Sequence, residues 1–157
     1  MQDPAPFPRR LLRQWESPPT WLVLFLLLAW AQARFAPLLP TGAALGGLGL
    51  ALILVGLVIF ALALAQFRRH RTTVLPREVP QAMIRGGIYR LTRNPIYLAD
   101  ALILTGAILR WDAASLVLVP VFMAVIQRRF ILGEEAGLRT AFGADFERYA
   151  AQVRRWL

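Results

Sequence analysis

Residues 43–67 contain no charged side chain, and this apolar run limits the fold more than any other feature of the chain. A helix needs about 20 apolar residues to cross the hydrocarbon core of a bilayer, so the run is long enough to span a membrane. Three further apolar stretches, residues 21–39, 96–111 and 113–126, are shorter or contain charges. We therefore predict an all-α integral membrane protein with about four transmembrane helices, the last two forming a tight hairpin that turns near Trp111-Asp112.

The composition agrees with a membrane protein and excludes several kinds of chemistry. Of the 157 residues, 57% are hydrophobic and 17% are charged, whereas soluble domains carry about 25% charged residues. The chain has no cysteine, which excludes disulfides, thiolate metal sites and cysteine nucleophiles. With His70 as the single histidine and no carboxylates at suitable spacing, no metal site is predicted. The length predicts a single domain over residues 1–157.

The arginines predict the orientation of the chain in the membrane. All 18 basic residues are arginines, and seven of them lie within residues 68–93. Only Arg34 and Arg110 lie on the opposite side. The positive-inside rule places both termini, including an N-terminal segment at residues 1–20, in the cytoplasm. This multi-pass arrangement suits the inner (plasma) membrane, and arginines beside apolar runs favour anionic lipid headgroups over nucleic acid as partners.

Glycines in the second apolar stretch allow two interpretations. Gly42-x-x-x-Gly46 is a pattern of small residues that lets helices approach closely. Gly47-x-Gly49 offers bare backbone to a cofactor as an alternative, although helix packing is the commoner use of glycine in a membrane span. No strand precedes these glycines, so they are not a dinucleotide-binding fingerprint.

The connection before the third apolar stretch carries a dense polar motif. Gly86-Gly87 predicts a sharp turn, and Asn94-Pro95 predicts a helix start with Asn94 as the capping residue. The free N–H groups of that helix end, together with Arg90 and Arg93, suit a carboxylate or a phosphate. Anchoring to lipid headgroups is an equally weighted alternative.

A second polar cluster, Glu134-Glu135, follows the fourth apolar stretch. One glutamate is expected to bind an ammonium group or ribose hydroxyls while the other orients an arginine. The alternative is salt bridging to Arg128, Arg129 or Arg139. Apolar residues then recur at helical spacing, which predicts an amphipathic helix or helix pair over the membrane or over a loop; they are residues 138, 142, 146, 149, 153 and 156.

Asp100 is an acid within the third apolar stretch, one turn beyond Tyr97. Acids inside a bilayer are costly and suggest either a function or a buried partner. Its position near the cytoplasmic end also permits access of water.

These two blocks together resemble a known family. The pattern Gly87-x-Tyr89-Arg90-x-x-Arg93-Asn94-Pro95-x-Tyr97, a helical hairpin and then Glu134-Glu135 is similar to the isoprenylcysteine carboxyl methyltransferases. The same superfamily includes the phospholipid N-methyltransferases. Its members are small multi-span enzymes that bind S-adenosylmethionine without a Rossmann fold, in a pocket closed by the loop and the tail. The resemblance extends over roughly residues 67–156 and predicts residues 67–157 as a cofactor-binding core.

The resemblance implies an S-adenosylmethionine-dependent membrane methyltransferase with a lipid-like or apolar acceptor, acting by carboxyl O-methylation or lipid amine N-methylation. For such a reaction an arginine such as Arg128 or Arg129 could orient an acceptor carboxylate or phosphate, and Glu135 or Asp100 could receive a proton from an amine. Arg129 and Glu135 are the predicted catalytic residues. The cofactor contacts that the resemblance implies are Gly87, Tyr89, Arg90, Arg93, Asn94, Tyr97, Glu134 and Glu135.

Two other classes of protein are alternatives to this one. NADPH-dependent membrane reductases of the sterol-reductase type resemble the family in their cofactor region, but they are much longer than this chain. A non-catalytic or transporting four-helix membrane protein would be expected to carry a membrane-centred glutamate on its first span, and residues 21–39 contain none.

Overall fold

The computed structural model describes residues 17–70 and 83–157, so most of the predicted N-terminal segment and part of the polar connection lie outside the described residues. Within these ranges the regular structure is helical and no strand occurs, which confirms the all-α prediction. The α-helices are α1 (Pro18–Phe35), α2 (Ala43–His70), α3 (Pro95–Trp111), α4 (Leu118–Ile126), α5 (Leu132–Phe142) and α6 (Ala144–Gln152). Shorter helical turns are the 3-10 segments Gly87–Arg90 and Ala113–Val117 and the π-helical segment Gln127–Ile131.

Two helical stretches, Ala43–Arg69 and Ala113–Phe142, are long and apolar enough to cross a membrane. Only 17% and 22% of their most apolar windows are buried inside the protein. Apolar side chains on these stretches therefore face outward, as they do in contact with lipid and as they rarely do in soluble proteins. Helices α1 and α3 are shorter, at 18 and 17 residues. The described part of the chain thus contains two helical stretches able to cross a membrane, and the count of four spans stays a prediction.

The main apolar core lies between α1, α3 and α4. Phe25 of α1 meets Phe122 of α4 edge to face, with ring centroids 5.4 Å apart. Leu104 and Ile108 of α3 are fully buried beside them. Between helices in a bilayer, van der Waals packing of such side chains stabilises the contact, because lipid tails are as apolar as the side chains themselves. This core holds α3 in position, and it therefore determines which elements the first residues of α3 contact.

Helices α2 and α3 approach so closely that their backbones touch. A Cβ atom at Gly49 would overlap the carbonyl oxygen of Gly106, and one at Gly56 would lie 2.9 Å from the carbonyl oxygen of Ala99. Glycine packing of helices is therefore confirmed, but not at the predicted positions. Among the described residues nothing lies within 4 Å of a Cβ atom placed at Gly42, Gly46 or Gly47. The Gly42-x-x-x-Gly46 prediction was wrong because α3 reaches Gly46 through the side chain of Arg110, which donates to the Gly46 carbonyl oxygen at 3.3 Å, and not through close backbone packing.

The predicted hairpin at Trp111-Asp112 is confirmed, and Asp112 holds it. Its carboxylate is 1% exposed and accepts hydrogen bonds from the backbone N–H groups of Leu38 at 2.8 Å, Leu39 at 3.0 Å and Ala114 at 2.8 Å. Burial acts to raise the pKa of Asp112, but these hydrogen bonds outweigh it and hold the pKa below its ordinary value. The loop after α1 and the turn after α3 therefore lie together at one end of the molecule.

Candidate functional site

The polar motif before α3 begins with the predicted sharp turn. Gly87 has a φ of 59°, a backbone conformation that favours glycine, and a Cβ atom there would overlap the side chain of Gln66 on α2. The turn leads into the 3-10 helix Gly87–Arg90, which buries Tyr89. The Tyr89 ring meets Phe67 edge to face, with centroids 6.0 Å apart. The motif is therefore packed against the end of α2.

Helix α3 begins at Pro95 as predicted, but the side chain of Asn94 does not cap it. The Asn94 amide donates instead to the carbonyl oxygen of Arg155 in the C-terminal tail, at 2.9 Å. The Thr92 hydroxyl oxygen accepts from the Asn94 backbone N–H at 3.2 Å. The capping prediction for Asn94 was wrong because its side chain forms a hydrogen bond with the C-terminal tail instead.

A hydrogen bond joins the two sequence blocks directly. The hydroxyl of Tyr97, in the first turn of α3, donates to Oε1 of Glu134 at 2.7 Å. Phe130, one turn before Glu134 on the helical stretch, lies beside the Tyr97 ring with centroids 6.4 Å apart. The start of α3 and the start of α5 therefore form one site.

Glu135 lies 3% exposed at the centre of this site and pairs with two arginines. Arg155 donates to both of its carboxylate oxygens, at 3.0 Å and 2.7 Å, and Arg93 approaches to 3.3 Å. The hydrogen bond to Glu135 raises the pKa of Arg155. Glu135 thus pairs with Arg93 and Arg155, two arginines that the alternative of salt bridging to Arg128, Arg129 or Arg139 does not name. Arg139, for example, pairs with Glu147 on the surface.

The C-terminal tail closes over the motif, and sequence reasoning did not find this contact. The backbone N–H of Arg93 donates to the carbonyl oxygen of Arg154 at 3.0 Å. The Thr92 hydroxyl donates to the carbonyl oxygen of Arg155 at 3.2 Å. The Trp156 indole donates to Gln127 in the π-helical segment at 3.1 Å. The sequence feature that could have indicated this contact is the run of basic and aromatic residues at positions 154–156.

Helices α5 and α6 form the predicted helix pair, and α6 lies over the loop. The φ of 48° at Gly143 ends α5, so the apolar residues of the tail do not form one continuous helical stripe. The hydroxyl of Tyr149 on α6 donates to the carbonyl oxygen of Tyr89 at 2.7 Å. Burial raises the pKa of Tyr149 to about 12. The pair therefore shields one side of the motif from water.

Two predicted site residues are exposed. Arg90 is exposed at the end of the 3-10 helix. Arg129 is also exposed, and its guanidinium group lies over the ring of Trp21 on α1, 5.0 Å from the centroid. The structure brings together the remaining predicted residues, which are Gly87, Tyr89, Arg93, Asn94, Tyr97, Glu134 and Glu135.

The chemistry of the cluster suits a ligand that carries both a positively and a negatively charged group. It contains the guanidinium groups of Arg93 and Arg155, the carboxylate of Glu134 and the hydroxyl groups of two buried tyrosines. The Nε atom of Arg93 is buried and has no hydrogen-bond partner among the described residues. Arginine binds carboxylates, and a carboxylate binds ammonium or hydroxyl groups.

The fold is that of a helical membrane protein with a cluster of polar and charged side chains at one end of its helices. A family model described as phospholipid methyltransferase matches residues 45–145. The match extends over well over half of the chain and contains both sequence blocks, so the chain belongs to the phospholipid methyltransferase family. Membership implies a membrane methyltransferase and a lipid substrate. No curated protein and no solved structure gives a significant match.

Proposed function

We propose that the protein transfers a methyl group from S-adenosylmethionine to a lipid acceptor at the cytoplasmic face of the inner membrane. The observation that carries this proposal is the Tyr97–Glu134 hydrogen bond of 2.7 Å. It joins two blocks that are far apart in sequence, and both lie within the region matched by the family. S-adenosylmethionine, when bound, supplies a methyl group activated by a sulfonium.

The residues of the cluster fit the polar groups of S-adenosylmethionine. Arg93, with its buried and unpartnered Nε among the described residues, suits the carboxylate. Glu134 suits the ammonium group or the ribose hydroxyls, and Tyr89 and Tyr97 supply buried aromatic walls. Glu135 holds Arg93 and Arg155 in place and so acts on the ligand through them. Gly87 and Asn94 shape the loop, and Arg90 is a peripheral contact.

Methyl transfer from a sulfonium needs alignment and exclusion of water more than acid–base chemistry. The tail and α6 lie over the loop and shield the cluster. The ion pairs of Glu135 fix the arginines before a ligand arrives, so less ordering is needed on binding. Arg129, exposed beside Trp21, suits the carboxylate or phosphate of a lipid acceptor.

The experiment that tests this proposal is methylation of lipid by the purified full-length protein. The protein in detergent is incubated with methyl-labelled S-adenosylmethionine and a total lipid extract, and labelled lipid is identified by mass. We expect label in a lipid product. Binding of NADPH without binding of S-adenosylmethionine, and no labelled lipid, would contradict the proposal and favour a reductase.

A further inference from the structure

Two arginines share the buried carboxylate of Glu135, and they share it unequally. Arg155, from the C-terminal tail, donates to both oxygens, from Nε at 3.0 Å and from Nη2 at 2.7 Å. Arg93, from the loop before α3, approaches with its Nη1 atom 3.3 Å from Oε1. A guanidinium group that binds both oxygens of a carboxylate forms the strongest kind of ion pair. Glu135 is therefore neutralised chiefly by Arg155, and Arg93 makes the weaker contact.

Arg93 keeps a hydrogen-bond donor that nothing in the described part of the chain uses. Its Nε atom is buried and has no partner there. The side chain is 13% exposed, so water reaches little of it. A buried donor without an acceptor is costly, which indicates that a ligand supplies the acceptor. The acceptor that fits a guanidinium group best is an anion such as a carboxylate.

We propose that Arg155 is a positioning residue, which binds Glu135 and thereby keeps the Arg93 guanidinium group available to the carboxylate of the methyl donor. This inference rests on the proposed function, which assigns that carboxylate to Arg93. Without Arg155, Glu135 has Arg93 as its remaining ion-pair partner among the described residues. An unpaired buried charge is costly, so the carboxylate then draws Arg93 onto itself and away from the ligand.

The backbone of the tail is held in place without the Arg155 guanidinium group. The carbonyl oxygen of Arg155 accepts hydrogen bonds from Thr92 and Asn94. The Trp156 indole donates to Gln127 in the π-helical segment. A substitution of the Arg155 side chain leaves these contacts intact, so we expect its effect on the ligand to come from the lost charge and not from a displaced tail.

The test is calorimetric titration of the full-length protein with two probes, S-adenosylmethionine and decarboxylated S-adenosylmethionine. The second probe keeps the sulfonium and the ammonium group but has no carboxylate. The variants are Arg155→Gln, Arg155→Lys and the double variant Glu135→Gln/Arg155→Gln. Arg154→Gln is the matched control, because Arg154 is the preceding residue in the tail and its exposed side chain has no ion pair among the described residues. The thermal midpoint of unfolding is measured for each.

We expect Arg155→Gln to weaken binding of S-adenosylmethionine about 10- to 150-fold, the range for a hydrogen bond to a charged group. Binding of the decarboxylated probe should stay unchanged, because Arg93 does not contact it through a carboxylate. Arg155→Lys should bind S-adenosylmethionine more tightly than Arg155→Gln, since its ammonium group still neutralises Glu135. The double variant should also regain affinity, because an uncharged Gln at position 135 does not compete for Arg93. Arg154→Gln should bind both probes as the unmodified protein does.

Other results would overturn the inference in distinguishable ways. Unchanged affinity of Arg155→Gln for S-adenosylmethionine would show that Arg155 does not control Arg93. Equal weakening for the two probes, with a lower thermal midpoint, would show that the Arg155 side chain only holds the tail. A double variant that binds more weakly than Arg155→Gln would contradict the competition for Arg93. If the unmodified protein binds neither probe, the proposed function fails together with the inference.

Discussion

Glu135 is the single residue on which the arrangement of the site depends most. It is buried, and two arginines from different parts of the chain, Arg93 and Arg155, converge on it. Breaking a buried ion pair leaves uncompensated charge and costs about 3–5 kcal/mol. We therefore expect Glu135→Gln to lower the free energy of unfolding by about this amount, measured by denaturant titration in mixed micelles.

Glu147 provides the matched control for this prediction. It pairs with Arg139 on the surface, where both side chains are about half exposed. Exposed pairs contribute about 1 kcal/mol or less, so Glu147→Gln should have a small effect. Similar losses of stability in the two variants would show that Glu135 does not organise the site.

Tyr149 gives a prediction about alkaline pH. Its pKa is raised to about 12 by burial, against about 10 in an unfolded chain. A raised pKa means that the neutral phenol stabilises the folded state fully below pH 10 and that this contribution is lost as pH rises toward 12. Absorbance at 295 nm should show a tyrosinate step near pH 12 that is missing in Tyr149→Phe. If the step that Tyr149→Phe removes lies near pH 10 and not near pH 12, the burial of this hydroxyl is contradicted.

At the residue scale the sequence predicts some contacts and cannot predict others. The spacing of the two blocks and their resemblance to a family predict that Tyr97 and Glu134 share a site, and their hydrogen bond agrees with this. No spacing relates Arg155 to Glu135, because their contact depends on the direction of the chain after α6 ends. The same tail contact explains why the capping role predicted for Asn94 was wrong.

At the scale of elements, the packing of α2 against α3 depends on bare backbone. Gly49 and Gly106 face each other so closely that no side chain fits between them. We expect Gly49→Ala to lower the free energy of unfolding by about 1–3 kcal/mol, the usual cost of overpacking. Gly46→Ala, in open space on the same helix, should have little effect. Equal denaturation midpoints for the two variants would contradict this packing.

The positions of the helices were largely predictable from the sequence, whereas the way in which they connect and pack was not. Apolar runs predict α1 to α4 within a few residues of where they occur. They do not predict that Gln127–Ile131 continues as π-helix into α5, because charged residues are typical both of a helix leaving the membrane and of a loop. Nor could the runs show which glycines of α2 meet α3, since that depends on the vertical offset between the helices.

At the scale of the whole molecule, the described residues have two distinct ends. Residues 38–40 and the hairpin at Asp112 meet at one end, through the hydrogen bonds to Asp112. The loop before α3, the start of α5 and the tail meet at the other. Arginine asymmetry predicts that the second end is cytoplasmic, but no sequence pattern identifies the acceptor.

Reporter fusions test this orientation. Fusions after Pro40 and after Asp112 should both report the periplasm, and a fusion after Leu157 should report the cytoplasm. A cytoplasmic signal at Asp112, with a periplasmic one at Pro40, would contradict both the hairpin and the hydrogen bonds that join these positions.

The central claim is that the cluster of Arg93, Tyr97 and Glu134 binds the methyl donor, and calorimetric titration with S-adenosylhomocysteine tests it most directly. Arg93→Ala and Glu134→Ala should each weaken binding by about 1.5–3 kcal/mol, the range for hydrogen bonds to charged groups. Glu147→Ala, at the surface, should bind as the unmodified protein does. Unchanged affinity in both site variants, with their helical circular dichroism intact, would contradict the assignment of this cluster.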